Sequence, residues 1–303
     1  MDRPDVLVLG GGGILGEAWM MAVLAGLSDA SGFDVRDCES FVGTSAGSIV
    51  AAVLVAGIEP RARLGQLPEQ PPIRAGATPL GTGLPGRALQ IALGAGRTAA
   101  APVAALGLRS TEIAGALMRR AALSRVPAGR RSLAGLGSEL EQAGARWDGR
   151  LRVATVDAGS GRRVMFGAPG APKAPVAKAV EASCAIPGVF RPVDIDGRGY
   201  VDGGVWSPTN MDAAPASRGS HVLCLNPTGS MRSSFAMPYG ALGLLSRSLA
   251  AIEALALERH GASVTTVSPD EGSLEAIGPN LMDRRPRSRV IVAGLAQGHA
   301  LAR

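Results

Sequence analysis

Near the start of the chain an unbroken apolar run, Val6-Leu7-Val8-Leu9, stops at four consecutive glycines, Gly10, Gly11, Gly12 and Gly13. A short continuous apolar run ended by a turn signal predicts a strand covered on both faces, the usual situation in a parallel sheet. Residues 17–27 then take on helical character, so the first unit reads strand, glycine loop, helix. Phe41-Val42 predicts a second short strand, and the apolar stretch 48–58, stopped by Pro60, predicts the helix behind it.

From Pro60 to about Gly149 the texture changes. Prolines and glycines crowd the chain as far as Gly86, and helical stretches follow at about 87–93, 111–123 and 132–143. This predicts a helical insertion or lid at about 60–149, packed on an αβ core within one domain spanning 1–303. The core resumes with strands at 151–156 and 163–166, joined by Gly159-Ser160-Gly161. A helix at 175–184, a hairpin through 193–195 and 200–201, strands at 221–225 and 264–267, and helices at 240–259 and 288–301 complete the pattern. Buried strands alternating with helices predict an α/β fold: three layers, α/β/α, around a mostly parallel central sheet.

Composition agrees with a globular core. Apolar residues make up 46% of the 303 and aromatics only 3%, so Ala, Val, Leu and Ile must fill the interior. Lys173 and Lys178 are the only lysines, and the net charge of +6 is carried mainly by arginine. Arg119, Arg120, Arg125, Arg130 and Arg131 form one cluster, and Arg284, Arg285, Arg287 and Arg289 another. Such clusters read as solvated helix ends and loops, or as contacts for anionic lipid headgroups at a membrane. Nucleic acid is not an expected partner, because no set of stacking aromatics accompanies the arginines.

Cys38, Cys184 and Cys224 are widely spaced and lack any CxxC or histidine pairing, which argues against zinc and against a disulfide framework. Arg97 interrupts the longest apolar candidate for a transmembrane span, residues 88–108. The expectation is a cytoplasmic protein, membrane-peripheral at most.

The chemistry concentrates in three short motifs. In Gly43-Thr44-Ser45-Ala46-Gly47 a serine sits at a predicted strand-to-helix turn, where Gly43 and Gly47 allow a tight bend and a close strand–helix approach. By itself the motif also fits a serine that merely caps a helix. The glycine run offers Gly11, Gly12 and Gly13 as backbone N–H donors to an oxyanion or a phosphate, with the positive end of a helix behind them. Gly11, Gly13 and Gly16 also satisfy a dinucleotide fingerprint, whereas a P-loop is excluded by the missing Gly-Lys-Ser/Thr. Tyr200-Val201-Asp202-Gly203-Gly204 presents a carboxylate at the exit of a strand, a candidate base or a plain Asx turn. The three histidines, His221, His260 and His299, lie in no motif.

The combination resembles the patatin-like phospholipases. Leu9-Gly10-Gly11-Gly12-Gly13-Ile14-Leu15-Gly16, Gly43-Thr44-Ser45-Ala46-Gly47, Ala182-Ser183-Cys184-Ala185-Ile186-Pro187-Gly188-Val189-Phe190 and Tyr200-Val201-Asp202-Gly203-Gly204 follow the family's order over about residues 5–230. The resemblance implies a lipid acyl hydrolase with a Ser45–Asp202 dyad, an oxyanion hole of glycine N–H groups, a lipid or acyl-ester substrate, and neither metal nor cofactor. One position departs: Leu15 stands where the family usually carries a basic residue. It reads either as a shift of preference toward less charged lipids or as simple packing beneath the loop. Two other readings compete: an α/β-hydrolase esterase whose triad adds His221 or His260, and a non-catalytic lipid- or nucleotide-binding protein using the glycine loop.

Overall fold

The computed structural model of the chain describes residues 3–65, 112–231 and 239–303. The predicted helix at 87–93 and the proline-rich start of the insertion lie outside the described residues. The strands are β1 (Val6–Leu9), β2 (Ser40–Thr44), β3 (Leu151–Asp157), β4 (Arg163–Phe166), β5 (Val193–Ile195), β6 (Arg198–Asp202), β7 (His221–Leu225) and β8 (Ser263–Val267). The helices are α1 (Gly13–Ser31), α2 (Ala46–Val55), α3 (Pro60–Leu64), α4 (Glu112–Leu123), α5 (Ala134–Gln142), α6 (Val176–Ser183), α7 (Tyr239–Arg259), α8 (Glu271–Ile277) and α9 (Arg287–Leu301). The short helices α3 and α8 have no counterpart in the predicted pattern. Helix α1 begins directly at Gly13 rather than at residue 17, so the glycine loop runs straight into its first turn.

β3, β2, β1, β7 and β8 pair in parallel in that order, and β4, β5 and β6 add the antiparallel part. Alternation along the strands divides the side chains between two layers. Leu7, Leu9, Phe41, Val153, Leu223 and Leu225 join one apolar cluster with α1, α2, α6 and α9. Val6, Val8, Val42, Val222 and Cys224 face the opposite way, toward Met211, Ala250 and Leu257. This is the three-layer α/β/α arrangement predicted from the pattern. Leu140 of α5 belongs to the first cluster, so this helix of the 60–149 stretch packs into the core itself.

The register around β3 positions the chemistry. The Phe41 N–H donates to the Arg150 carbonyl, and the Ala158 N–H donates to the Gly199 carbonyl. Even-numbered positions of β3 therefore face both β2 and β6, whereas Asp157 faces β4 through the Arg162 carbonyl. β2 and β6 thus occupy the same edge of β3, one beyond the other and in opposite directions. Thr44 ends β2 opposite Ala154, and Asp202 ends β6 opposite Thr155. The residue after Thr44 and the carboxylate of Asp202 must meet at that junction.

Helices α1 and α9 approach closely along glycines. A Cβ on Gly298 would lie 2.2 Å from the Val23 carbonyl oxygen, and one on Gly26 would lie 2.4 Å from that of Leu295. Between them the Trp19 Nε1–H donates to Gln297 Oε1 at 2.8 Å. Gly298→Ala is therefore expected to force the helices apart and to lower stability by about 1–3 kcal/mol in urea denaturation. Gly135→Ala is the control: Gly135 lies within α5 with nothing near its Cβ position, so alanine there should be neutral or stabilising.

Candidate active site

Ser45 sits at the junction between β2 and α2 with φ 52° and ψ −122°, a backbone conformation that a serine rarely adopts. Holding it there costs of order 1–3 kcal/mol, which the surrounding contacts must offset. The Ser45 N–H donates to Ser183 Oγ at 2.9 Å, and the Ser183 hydroxyl donates to the Ala154 carbonyl at 2.7 Å. Ser48 Oγ donates to the Ser45 carbonyl at 2.6 Å. Both flanking glycines are required by space. A Cβ on Gly43 would stand 2.4 Å from Ser48 Cα, and one on Gly47 would stand 2.0 Å from the Leu9 carbonyl oxygen.

The Ser45 hydroxyl donates to Asp202 Oδ2 at 2.7 Å. The other carboxylate oxygen, Oδ1, accepts the Gly204 N–H at 2.7 Å, which holds the turn and orients the acid. Gly203 lies against Ala154, where a Cβ would come within 2.4 Å of the carbonyl oxygen. Asp202 is only 6% exposed. Burial raises its pKa to about 6, against the opposing pull of the bonds from Ser45 and Gly204. Such a group is a stronger proton acceptor than a solvated carboxylate and still ionises below neutral pH.

The glycine loop runs beside this pair, and a Cβ on Gly11 would touch Ser45 Cβ at 3.5 Å. One expectation needs correction here. The Gly11 N–H donates to the Pro208 carbonyl at 2.8 Å, so it is spent on holding the loop and is not offered to a ligand. Among the described residues no acceptor takes the N–H of Gly12 or Gly13, and both stand at the positive end of α1. The two are glycine for different reasons. Gly13 has φ +59°, whereas Gly12 is pressed by Pro227, whose Cβ would lie 2.5 Å from an added Cβ. Gly16 closes the first turn by donating to the Gly12 carbonyl at 2.9 Å.

Leu15 is fully buried in the main core cluster, and its N–H donates to the Leu281 carbonyl at 3.0 Å. The packing reading of this position stands, and the reading that tied Leu15 to headgroup preference does not. The histidines are equally remote from the carboxylate. His221 starts β7, which runs parallel to β1 and β2, so it lies at the opposite end of the strands from Ser45. His260, just past the end of α7, bonds the Ala256 carbonyl of that helix, and His299 pairs with Asp29. The Ser-Asp-His triad has no histidine to complete it.

Sequence reasoning missed the supports. Ser183 was visible inside a matching motif, but its bridge between Ala154 and the Ser45 N–H depends on three elements meeting. Asn210, in the left-handed conformation at φ 49°, donates from Nδ2 to the carbonyls of Ser207 and Gly203 and to Thr44 Oγ1. Buried Glu253 accepts from the Thr209 hydroxyl and from the Met211 N–H, which fixes the same loop from α7. Two guanidinium groups lie over the Trp206 ring, with Arg119 3.8 Å and Arg163 5.0 Å from its centre. The cysteines are free and buried, and no cluster of metal-ligating side chains occurs among the described residues.

Because Leu15 is enclosed, Leu15→Arg is expected to bury an unpaired charge and to cost more than about 3 kcal/mol. Thermal melting should show a large fall in Tm, and turnover of charged and uncharged esters should fall together. A rise confined to anionic lipids would reverse this reading of the position.

Comparison with known proteins follows the same lines. A family model described as patatin-like phospholipase matches residues 7–215. Among solved structures the chain is similar to VipD from Legionella pneumophila, at 14% identity and a TM-score of 0.41, over 99% of this chain and 67% of that one. No curated protein matches the sequence. With its motifs in order and the family model spanning both Ser45 and Asp202, the chain belongs to the patatin-like phospholipases, a family whose activity is the hydrolysis of lipid acyl esters.

Proposed function

We propose that the protein hydrolyses carboxylic ester bonds of phospholipids or neutral lipids through a two-residue dyad, Ser45 as nucleophile and Asp202 as its base. The observation that carries this reading is the 2.7 Å bond from the Ser45 hydroxyl to a buried carboxylate, at an elbow beside free glycine N–H groups. In the first step Ser45 Oγ attacks the ester carbonyl carbon while its proton passes to Asp202. The carbonyl oxygen becomes an oxyanion held by the N–H groups of Gly12 and Gly13, with the start of α1 adding its dipole. Collapse of that intermediate expels the alcohol, which takes the proton from Asp202 and leaves an acyl group on Ser45. Water then attacks the acyl-enzyme, Asp202 accepts a proton from it, and the carboxylic acid departs with Ser45 reprotonated.

Gly43, Gly47, Gly203 and Gly204 serve this reading as spacers that let the elbow and the acidic turn approach their neighbours. On this reading the chain works as one catalytic domain, with α4 set beside the acidic turn through the Arg119–Trp206 stack. A non-catalytic binder had one support in the sequence, Leu15 in the first motif, and that residue serves the core instead.

A serine-directed fluorophosphonate probe, followed by a panel of esters varying in chain length and headgroup, tests the proposal. Labelling should occur at Ser45 and be abolished in Ser45→Ala. Both Ser45→Ala and Asp202→Asn should lose at least about 10³-fold in kcat with the fold intact, the scale typical of nucleophile and base removal. Activity of Asp202→Asn within tenfold of wild type would refute the base.

The raised pKa of Asp202 sets two pH dependences of opposite sense. A base must be ionised, so log kcat/KM should rise with unit slope up to about pH 6 and level off above it. Stability should move the other way. Between about pH 4 and 6 the folded state holds a proton that the unfolded state has released, so the Asp202 contribution to stability falls as pH rises through this window. Asp202→Asn should therefore melt higher than wild type at pH 8 and lose that advantage at pH 4.

A further inference from the structure

Helix α4 has its apolar face outward. Leu117 and Met118 are 58% and 61% exposed, and Ala121 and Ala122, one turn on, are exposed as well. On a helical wheel these four positions share one side, whereas Ala116 and Arg119 turn inward. An apolar stripe kept in water is unfavourable unless something covers it, and its surroundings say what would. Between Glu112 and Glu139 the chain has no acidic residue, but it has five arginines. Arg119 is engaged with Trp206 and with the Gly161 carbonyl, while Arg120, Arg125, Arg130 and Arg131 all lie at exposed positions. Apolar side chains ringed by arginine match the interface of an anionic bilayer, where headgroups meet the cations and the acyl region takes Leu117 and Met118.

The same segment touches the site. The Arg119 Nε–H donates to Gly161 at 2.8 Å in the β3–β4 turn, and its guanidinium stacks on Trp206, two residues beyond Gly204. Gly129 packs on the backbone of Val189 and Phe190, and Arg131 bridges to Phe190. Residues 186–190 continue from Ala185, whose carbonyl accepts the Asp202 N–H at 3.1 Å. We propose that α4 and the arginine-bearing loop after it, residues 115–131, form the surface by which the protein docks on an anionic lipid bilayer at the mouth of its active site. The inference rests on the lipid-hydrolase reading and deepens it: docking delivers the ester from the bilayer instead of from solution.

The test uses Ser45→Ala protein, which leaves vesicles intact, in flotation with vesicles of phosphatidylcholine alone or with one-third phosphatidylglycerol. Binding is expected to the mixed vesicles, to weaken as salt is raised, and to drop at least tenfold in Leu117→Gln/Met118→Gln and in Arg120→Gln/Arg125→Gln/Arg130→Gln. The same substitutions in the otherwise unaltered chain should leave turnover of a soluble short-chain ester within twofold of normal while lowering turnover of vesicle lipid at least tenfold. Unchanged binding by both sets of variants, or equal binding to the two vesicle types, overturns the proposal. So does a dimer in sedimentation that Leu117→Gln/Met118→Gln converts to monomer, since a second copy would then be the occupant. Binding is read on inert protein, so a failure of Ser45 as nucleophile would appear only in ester turnover and would not be mistaken for a failure of docking.

Discussion

The site depends on one edge of one strand. β3 offers the same row of backbone groups to β2 and then to β6, which arrive from opposite directions and end at adjacent positions, Ala154 and Thr155. Ser45 and Asp202 are 157 residues apart in the chain, yet the hydrogen-bond ladder leaves them little choice but to meet. Ser183 joins the same junction, because its hydroxyl reaches the Ala154 carbonyl and receives the Ser45 N–H. The unusual backbone angles at Ser45 are thus held by the sheet and by α6 together.

Close approach is the second condition, and glycine meets it. Gly47 lets α2 lie against the end of β1, Gly12 lets the loop lie against Pro227, and Gly203 lets the acidic turn lie against β3. These contacts gather the ends of β1, β2, β6 and β7 into one cluster, with the start of α1 aimed at it. Among the glycines gathered at the site, only Gly13 has a positive φ. Gly12, Gly43, Gly47 and Gly203 are needed for room.

The proposed dyad asks a carboxylate to act on a serine without an imidazole, and that demands a setting of its own. Burial lifts Asp202 toward neutrality, while the bonds from Ser45 and Gly204 keep it oriented and ionisable. Placing α4 on Trp206 ties it to the same turn, so the proposed docking surface and the proposed base share a support.

Much of this was legible from residue order alone. Short apolar runs bounded by turn residues marked β1, β3, β4 and β7, and helical periods marked α4, α6, α7 and α9, because burial on a sheet or helix leaves a period in the sequence. The three motifs, in order, identified the family and the candidate pair. Other features could not be read there. Which glycine N–H remains free depends on Pro208, 197 residues after Gly11, whose carbonyl takes one of them. That Leu15 is core and not a headgroup contact depends on where α1 lands. The exclusion of His221 required the strand direction of β7, and the role of Ser183 required β3 to run beside it. Local sequence determined the elements and the reactive side chains, because strand, turn and helix preferences act over a few residues. Tertiary structure decided which donors, acids and supports converge, because those contacts join chain segments that only the sheet brings together.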